Sequence, residues 1–316
     1  MNLKEKLICK LAAITRKHHL VRFDRLLRCI YSPDRRKHDR IERVILTPHN
    51  LLVRINTASY IEWQLFFYGD YEAFVTRLFD LLIKPGSIAL DVGANVGIHA
   101  LRLGKLVGQA GKVYAFEPHP FIFKRMTENI ALNQLTGVIP VQLAVSSVSG
   151  SCRLQGFDEG DCNQGTSFLV TDEQEAGMQT FQVAMISLDD WAAEQHLNRV
   201  DLIKIDVEGF DIDVLQGAKR LIVANKPAII FEYGKPDLDR LRAMRQFLEG
   251  EGYALYVIQY GYLEAFNEAL LRGNVRILAT ANRSSFCEKS QHTWQLPTGE
   301  LSDATHRSRD HGYPTN

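Results

Sequence analysis

The chain is poor in cysteine, carries no net charge and contains no long apolar run. Its five cysteines are odd in number and lack the paired spacing of a zinc site or a disulfide framework, so we expect a reduced, cytoplasmic setting. No apolar run approaches the ~18 residues of a membrane span, and charged side chains interrupt the stretch from Met1 to Leu20 where a signal peptide would be apolar. Lys plus Arg and Asp plus Glu number 37 each, so no basic excess indicates a nucleic-acid partner.

The 316 residues have the length and composition of one globular α/β domain with additions at its ends. Strand patterns alternate with helical ones from Ser87 onward, which predicts a doubly wound, seven-stranded, Rossmann-like sheet whose last two strands can pair antiparallel. The predicted strands lie near residues 87–92, 112–117, 138–144, 201–206, 228–232, 253–259 and 275–281. We divide the chain into a cap of a basic helix and a β-hairpin (1–64), the sheet domain (65–282) and a polar tail expected to be disordered (283–316). The sheet domain carries an insertion (146–187) whose two strand-like segments, SCRLQGF and FQVAMISL, predict a β-hairpin.

The N-terminal segment is both amphipathic and basic. Its apolar stripe at helical spacing consists of Leu3, Leu7, Leu11 and Ile14. Residues 1–40 hold twelve Lys or Arg against four Asp or Glu. Such a helix can lie on an anionic membrane surface, or its stripe can pack on its own domain or on a partner subunit. The sequence leaves both interpretations open.

A nucleotide-binding half-site occupies residues 87–117. An apolar strand leads through Asp91 into the glycine turn GANVG and a helix, and a second strand ends on Glu117, where a carboxylate can accept the hydroxyls of a ribose. Dinucleotide binders have G-x-G-x-x-G at this turn, and an acidic residue such as Asp91 would repel their pyrophosphate. The pattern favours an adenosine-bearing cofactor with a cationic end, S-adenosylmethionine, with an NAD(P)-dependent oxidoreductase as the alternative.

A second cluster of carboxylates follows two later strands. Asp206 ends one strand, Glu208 follows it in the segment KIDVEGFD, and Glu232 ends the next strand. Carboxylates crowded at one rim raise each other's pKa, so they can hold a cationic ligand, accept a proton or bind a divalent ion. The structural alternative is that Glu208 caps the next helix and that Glu232 pairs with Lys204 or Lys235.

These segments, together with AFEP, LAVSS, QGTS and SLDDW, resemble the FkbM-type methyltransferases over roughly residues 65–235. The resemblance implies a class I fold that transfers methyl groups from S-adenosylmethionine, mostly to hydroxyl groups of sugars or secondary metabolites. It implies that the methionine end of the cofactor lies against Asp91, Gly93, Ala94, Asn95 and Gly97. It also implies that Glu117 holds the ribose, that Pro118, Ala144 and Val145 surround the adenine, and that Asp206 faces cofactor and acceptor.

The chemistry requires a base for the acceptor hydroxyl. We expect Glu208 or Asp206 in this role, with His99 and His119 as substitutes, and Glu232 at the acceptor. We expect the polar loop of the insertion, with Thr166 and Ser167, to recognise the acceptor. No metal is expected because Tyr233 occupies the position of a second ligand after Glu232, although Mg²⁺ bridging Asp206 and Glu232 is an alternative. A non-catalytic module that binds cofactor and is recruited to a membrane or partner is the third interpretation.

Overall fold

The computed structural model describes residues 3–18, 24–32, 40–155, 180–234, 237–259 and 262–281. No helix within these ranges is long and apolar enough to cross a membrane. The helices are α1 Leu3–His18, α2 Asp24–Ile30, α3 Tyr60–Tyr68, α4 Ala73–Leu82, α5 Ile98–Val107, α6 Pro120–Leu132, α7 Leu188–Glu194, α8 Asp211–Gln216, α9 Lys219–Asn225 and α10 Leu238–Gly250. The strands are β1 Glu42–Leu46, β2 Leu52–Asn56, β3 Ile88–Val92, β4 Lys112–Phe116, β5 Val138–Val141, β6 Ala144–Ser146, β7 Gly150–Gln155, β8 Thr180–Ser187, β9 Leu202–Ile205, β10 Ala228–Tyr233, β11 Ala254–Gln259, β12 Tyr262–Ala265 and β13 Val275–Thr280.

The doubly wound α/β fold predicted from the sequence is confirmed. Its main sheet has the strand order β12-β11-β13-β10-β9-β3-β4-β5. The strands β5, β4, β3, β9 and β10 pair in parallel, whereas β13 runs antiparallel to both β10 and β11. The carboxyl ends of the parallel strands therefore meet at one edge of the sheet, and the start of β13 joins them there. We call this edge the carboxyl rim.

Two predicted strand assignments needed correction. The main sheet has eight strands rather than seven, because β12 adds an antiparallel edge strand beside β11. The predicted strand 138–144 is divided: β5 ends at Val141, and Ala144 begins β6 in a different sheet. Pro140 lies in β5, which suits its position at the edge of the main sheet, since proline cannot donate a ladder hydrogen bond.

The insertion forms a small sheet of its own. β7 and β8 pair antiparallel, as its two strand-like segments predict, and β6 pairs in parallel with β8. The loop that joins β7 to β8, with Thr166 and Ser167, lies outside the described residues, as does the predicted tail 283–316. Both assignments stay predictions.

The cap contains the expected hairpin, β1 and β2, followed by α3, which runs across the division that we place after residue 64. Helix α1 packs on its own domain mainly through residues beside its apolar stripe, of which Leu11 is the member packed against the core. The helix packs on α3 through Ile8, Ala12 and Thr15, which are buried, whereas Leu3, Leu7 and Ile14 of the predicted stripe are exposed.

Candidate active site

Three adjoining cavities lie along the carboxyl rim. The inner cavity has about 630 Å³ of empty space, open solvent included, and is lined by Val92, Gly93, Asn95, Phe116, Glu117, Pro118, Ile122, Leu143, Ala144, Val145, Leu154, Asp206, Val207, Glu208 and Phe210. The central cavity, of about 620 Å³, is lined by Ile61, Tyr71, Gly93, Ala94, Asn95, Ile98, His99, Lys204, Asp206, Glu208, Glu232, Asn274 and Arg276. The outer groove, of about 1110 Å³, is lined by Glu72, Phe74, Val257, Ile258, Gln259, Ala269, Leu270, Arg272, Asn274, Val275 and Arg276.

The shared residues show how the cavities connect. Inner and central cavities meet at four residues, Gly93, Asn95, Asp206 and Glu208. Central cavity and outer groove meet at Asn274 and Arg276. A continuous trench therefore runs along the rim, with the predicted catalytic carboxylates where its first two parts join.

The glycine turn after β3 packs tightly against the chain that leaves β9. Gly93 has a φ of +77°, and a Cβ atom built on it would lie 2.0 Å from the carbonyl oxygen of Asp206. The N–H groups of Gly93 and Ala94 donate to the carbonyl of Phe116, at 3.0 and 2.8 Å. Only glycine fits this position, so the turn that predicts a nucleotide site also fixes the junction between the inner and central cavities.

Glu117 is held at the end of β4 with its carboxylate at the inner cavity. It is 5% exposed, and its oxygens accept hydrogen bonds from the backbone N–H groups of Asn95, at 3.0 Å, and His119, at 2.9 Å. Burial raises the pKa of Glu117 to about 7, and these hydrogen bonds oppose the rise. The carboxylate is thus fixed in orientation by two backbone donors.

Most of the predicted cofactor residues lie together. Those that line the inner cavity are Gly93, Asn95, Glu117, Pro118, Ala144, Val145 and Asp206, and Ala94 lines the central one. Asp91 and Gly97 line neither cavity: Asp91 is fully buried beneath the trench, and a Cβ on Gly97 would meet Met126.

Lys204 lies between the carboxylates of Asp91 and Asp206, so negative and positive charges alternate here. It lies opposite Asp91 in the register of β9 and β3, with its Nζ 3.4 Å from Asp91 Oδ1 and 3.4 Å from Asp206 Oδ2. Burial opposes the charge of Lys204, but the two carboxylates raise its pKa. Burial would raise the pKa of Asp206, yet Lys204 and then Arg276 outweigh it and lower the pKa to about 2.

Arg276 binds three carboxylates from three elements. Its guanidinium lies 2.6 Å from Glu72, 2.5 Å from Glu232 and 3.9 Å from Asp206. Glu232 lies opposite Arg276 in the register of β10 and β13, and Glu72 precedes α4 with a left-handed φ of 51°. Burial raises the pKa of Glu232 to about 8 despite Arg276, and a hydrogen bond with ionised Asp206 adds to the rise. Of these two neighbouring carboxyl groups, Glu232 therefore takes up a proton more readily than Asp206 does.

Two of the structural alternatives, a pairing of Glu232 with Lys204 and a helix cap by Glu208, are not seen in the described residues. Glu232 pairs with Arg276 rather than with Lys204, and Lys235 lies outside the described residues. Helix α8 begins at Asp211 without a side-chain cap. Glu208 instead has a left-handed φ of 50° and lines both inner and central cavities, and burial, followed by the charge of Asp206, raises its pKa to about 7.

The two histidines lie on the ligand side of the sheet but are poor proton acceptors. His99 is 2% exposed between the rings of Tyr71 and Phe79, and burial, followed by the charge of Lys204, lowers its pKa to about 3. Its Nε2 lies 3.9 Å from Glu72 and makes no hydrogen bond within the described part of the chain. Burial also lowers the pKa of His119, whose ring packs on Phe181.

Sequence reasoning missed Glu72 and Arg276 as members of this site and treated Lys204 only as a pairing alternative. The spacing of Lys204 and Asp206 was an available signal, because residues two apart in a strand share a face. Glu72 and Arg276 carry no such signal, since they reach the site from a loop before α4 and from the last strand. Within the described ranges, no three His, Cys, Asp or Glu side chains are grouped to hold a metal ion.

Comparisons with known proteins identify a family for this chain. The family profile of the methyltransferase FkbM domain matches residues 91–255, slightly more than half of the chain. Methyltransferase sdnD of Sordaria araneosa is 31% identical over 175 residues, which cover 46% of this chain and 66% of that protein. Hexuronic acid methyltransferase AglP of Haloferax volcanii is 31% identical over 143 residues, or 45% and 54% of the two chains. The 2-O-methyltransferase NoeI of Sinorhizobium fredii is 28% identical over 172 residues, or 51% and 69%.

Proposed function

The chain belongs to the FkbM family of methyltransferases, and from this premise we propose that it transfers a methyl group from S-adenosylmethionine to a hydroxyl oxygen of a sugar or a similar hydroxylated acceptor. The observation that carries the proposal is the junction of the inner and central cavities. The inner cavity contains the fixed carboxylate of Glu117. Glu208, with a pKa of about 7, lies where the inner and central cavities meet.

The residues of the inner cavity fit S-adenosylmethionine. Glu117 would accept the ribose hydroxyls, and the apolar surface of Pro118, Ala144 and Val145 suits an adenine ring. When bound, the cofactor supplies an already activated methyl group on a sulfonium.

The charge balance of the rim also fits a cationic ligand. In the part of the chain that the structure describes, the carboxyl groups of Asp91, Glu72, Asp206, Glu208 and Glu232 lie around two cations, Lys204 and Arg276. Neither oxygen of Asp91 makes a hydrogen bond within the described residues, although Lys204 lies at ion-pair distance. An excess of buried acidic groups stabilises positive charge nearby, and the sulfonium and ammonium of the cofactor would bring such charge.

Glu208 is the best candidate for the base. A general base works best when its pKa lies near the working pH, and that of Glu208 is about 7. Asp206, with a pKa of about 2, is held by Lys204 and Arg276, and we assign it to positioning. His99, with a pKa of about 3, would accept a hydrogen bond more readily than a proton.

The positive charges of Lys204 and Arg276 disfavour a divalent metal ion at the rim. A divalent ion bridging Asp206 and Glu232 would have to displace Arg276, which contacts both, and approach the cation of Lys204. This arrangement supports a reaction that requires no metal.

The central cavity favours an acceptor that donates hydrogen bonds. His99 lines this cavity, and its Nε2 lies 3.9 Å from Oε2 of Glu72, which lines the adjoining outer groove. Both atoms are buried without hydrogen-bond partners in the described part of the chain and can accept hydrogen bonds. Hydroxyl groups would satisfy them, and the outer groove leaves room for the remainder of a molecule larger than one sugar ring. The name of the relative AglP supports a sugar acid as the acceptor class.

Titration calorimetry separates this proposal from its alternatives. We expect the protein to bind S-adenosylmethionine and S-adenosylhomocysteine and to show no heat with NADPH. Binding of NADPH alone would establish the oxidoreductase instead. Binding of the methyl donor without methylation of any sugar, sugar acid or macrolide in a hydroxylated panel would support the non-catalytic module.

A further inference from the structure

Helix α1 has two apolar faces, and the fold buries only one of them. Ile8, Ala12 and Thr15 pack on α3. On the opposite side, Leu3, Leu7 and Ile14 are 76%, 60% and 45% exposed. At ~100° per residue these three side chains fall within about 40° of one another on the helix surface, so they form a single stripe. We call it the outer stripe.

Exposed lysines border the outer stripe. Lys6 and Lys10 follow one edge of it and Lys4 lies on the other, and all three side chains are exposed. The combination of an apolar stripe and flanking lysines is typical of helices that lie in a membrane interface, where apolar side chains enter the acyl boundary and lysines extend to the headgroups.

Helix α2 also exposes aliphatic side chains. Leu26 and Ile30, one helical turn apart, are 53% and 42% exposed. The helix is tied to α3, since Trp63 Nε1 donates to the carbonyl of Tyr31 at 2.6 Å and Arg28 lies over the Trp63 ring. Both α1 and α2 therefore rest on α3 while each exposes aliphatic side chains.

We propose that the outer stripe of α1, with the exposed side chains of α2, docks the protein on the surface of an anionic phospholipid bilayer. Residues 1–40 hold twelve Lys or Arg against four Asp or Glu, and an anionic surface attracts such a segment by ~1 kcal/mol per basic residue close to it. A second copy of the chain fits less well. A stable dimer buries ~800 Å² on each subunit, and a symmetric contact through the outer stripe would bring the same lysines against each other.

Vesicle co-sedimentation tests the proposal with the full chain. We expect the protein to sediment with vesicles of phosphatidylcholine and phosphatidylglycerol, to bind at least ~5-fold less to phosphatidylcholine alone, and to be released by high salt. The double variant Leu3→Glu, Leu7→Glu should lower binding to the mixed vesicles at least ~10-fold, because it removes the apolar side chains that enter the interface.

The matched control is Val148→Glu, which places the same charge at an exposed aliphatic residue outside the cap, 59% exposed. It should bind the vesicles like the unmodified chain. Unchanged affinity of the double variant for S-adenosylmethionine would show that it is folded and would separate this proposal from the assignment of the active site. Equal sedimentation of the double variant and the unmodified chain would overturn the proposal. A dimer in light scattering that the double variant dissociates would overturn it too, and would assign the outer stripe to a second copy.

Discussion

Asp206 and Glu208 lie two residues apart yet titrate in different ranges. The contacts of Asp206 with Lys204 and Arg276 keep its pKa near 2. Glu208 has no ion pair among the described residues, and burial together with the charge of Asp206 raises its pKa to about 7. Neighbouring cations thus separate a permanently charged carboxylate from one that can exchange a proton near neutral pH.

The base assignment predicts a loss of turnover in Glu208→Gln. The change keeps size and hydrogen bonding but removes the proton acceptor, so we expect turnover to fall by ~10²-fold or more. Affinity for S-adenosylmethionine, measured by calorimetry, should stay the same. The unmodified enzyme should gain activity as the pH rises through about 7, where Glu208 ionises, and level off above it.

The control for this variant is Glu251→Gln, a partly buried carboxylate that pairs with Lys226 and precedes β11 at the end of the sheet opposite the carboxyl rim. Its turnover and pH profile should match those of the unmodified enzyme. Full activity of Glu208→Gln would move the assignment of the base to Asp206.

Glu232 leads to a prediction about stability. The folded state raises its pKa from an ordinary 4.5 to about 8, so the folded protein binds this proton more tightly than the unfolded chain does. The stability that this proton contributes is complete below pH 4.5 and is lost as the pH rises towards about 8. Glu232→Gln mimics the protonated acid. Urea unfolding at a series of pH values should therefore show that its free energy of unfolding rises relative to that of the unmodified protein across that interval. A constant difference would contradict a protonated Glu232.

At the scale of the elements, the turn after β3 packs closely against the chain after β9. This contact fixes the junction between the inner and central cavities. Gly93→Ala should destabilise the protein and weaken cofactor binding, because the new Cβ would lie 2.0 Å from the Asp206 carbonyl oxygen. Gly252→Ala is a matched control: its φ of +87° is also left-handed, but nothing lies within 4 Å of the new Cβ. We expect urea unfolding to show a loss of ~1 kcal/mol in the control, from the backbone alone, and a clearly larger loss in Gly93→Ala. Equal losses would contradict the close packing of the turn.

The sequence predicts most of the elements because their apolar patterns are local. Both ends of strands such as β3, β4 and β9 lie within one residue of their predicted bounds. β12 was missed because it is a short edge strand with little apolar alternation, and its pairing with β11 depends on tertiary contact. The sequence left open which surface the stripe of α1 meets, because the helix has two apolar faces and its contact with α3 is tertiary.

The candidate site also combines residues that local patterns predict with residues that only tertiary contacts bring in. Glu117 and Asp206 directly follow strands and Glu208 comes two residues after Asp206, so their meeting at one rim can be predicted from the chain alone. Arg276 and Glu72 depend on how β13 and the loop before α4 pack against the rim, which no local pattern encodes. Their ion pairs in turn set the pKa of Asp206 and Glu232, so protonation states at the site required the structure.

At the scale of the whole molecule, cofactor and acceptor recognition are assigned to different parts of the chain. We expect Thr166→Ala combined with Ser167→Ala to raise the acceptor KM, because these polar side chains can offer hydrogen bonds to a hydroxylated substrate. The affinity for S-adenosylmethionine, measured by calorimetry, should stay unchanged, since the turn and Glu117 belong to a different segment. A collapse of cofactor affinity would instead assign this loop to the cofactor site.

The central claim is that the protein transfers a methyl group to oxygen. The trench, the family membership and the charge of the rim support it. The most direct measurement uses S-adenosylmethionine carrying a ¹³C-labelled methyl group, a sugar-acid glycoside as acceptor, and NMR to locate the label in the product. We predict that the label appears as a methyl ether with the unmodified enzyme and is nearly absent with Glu208→Gln. Label on nitrogen or carbon of the product, or equal label with both proteins, would contradict the account.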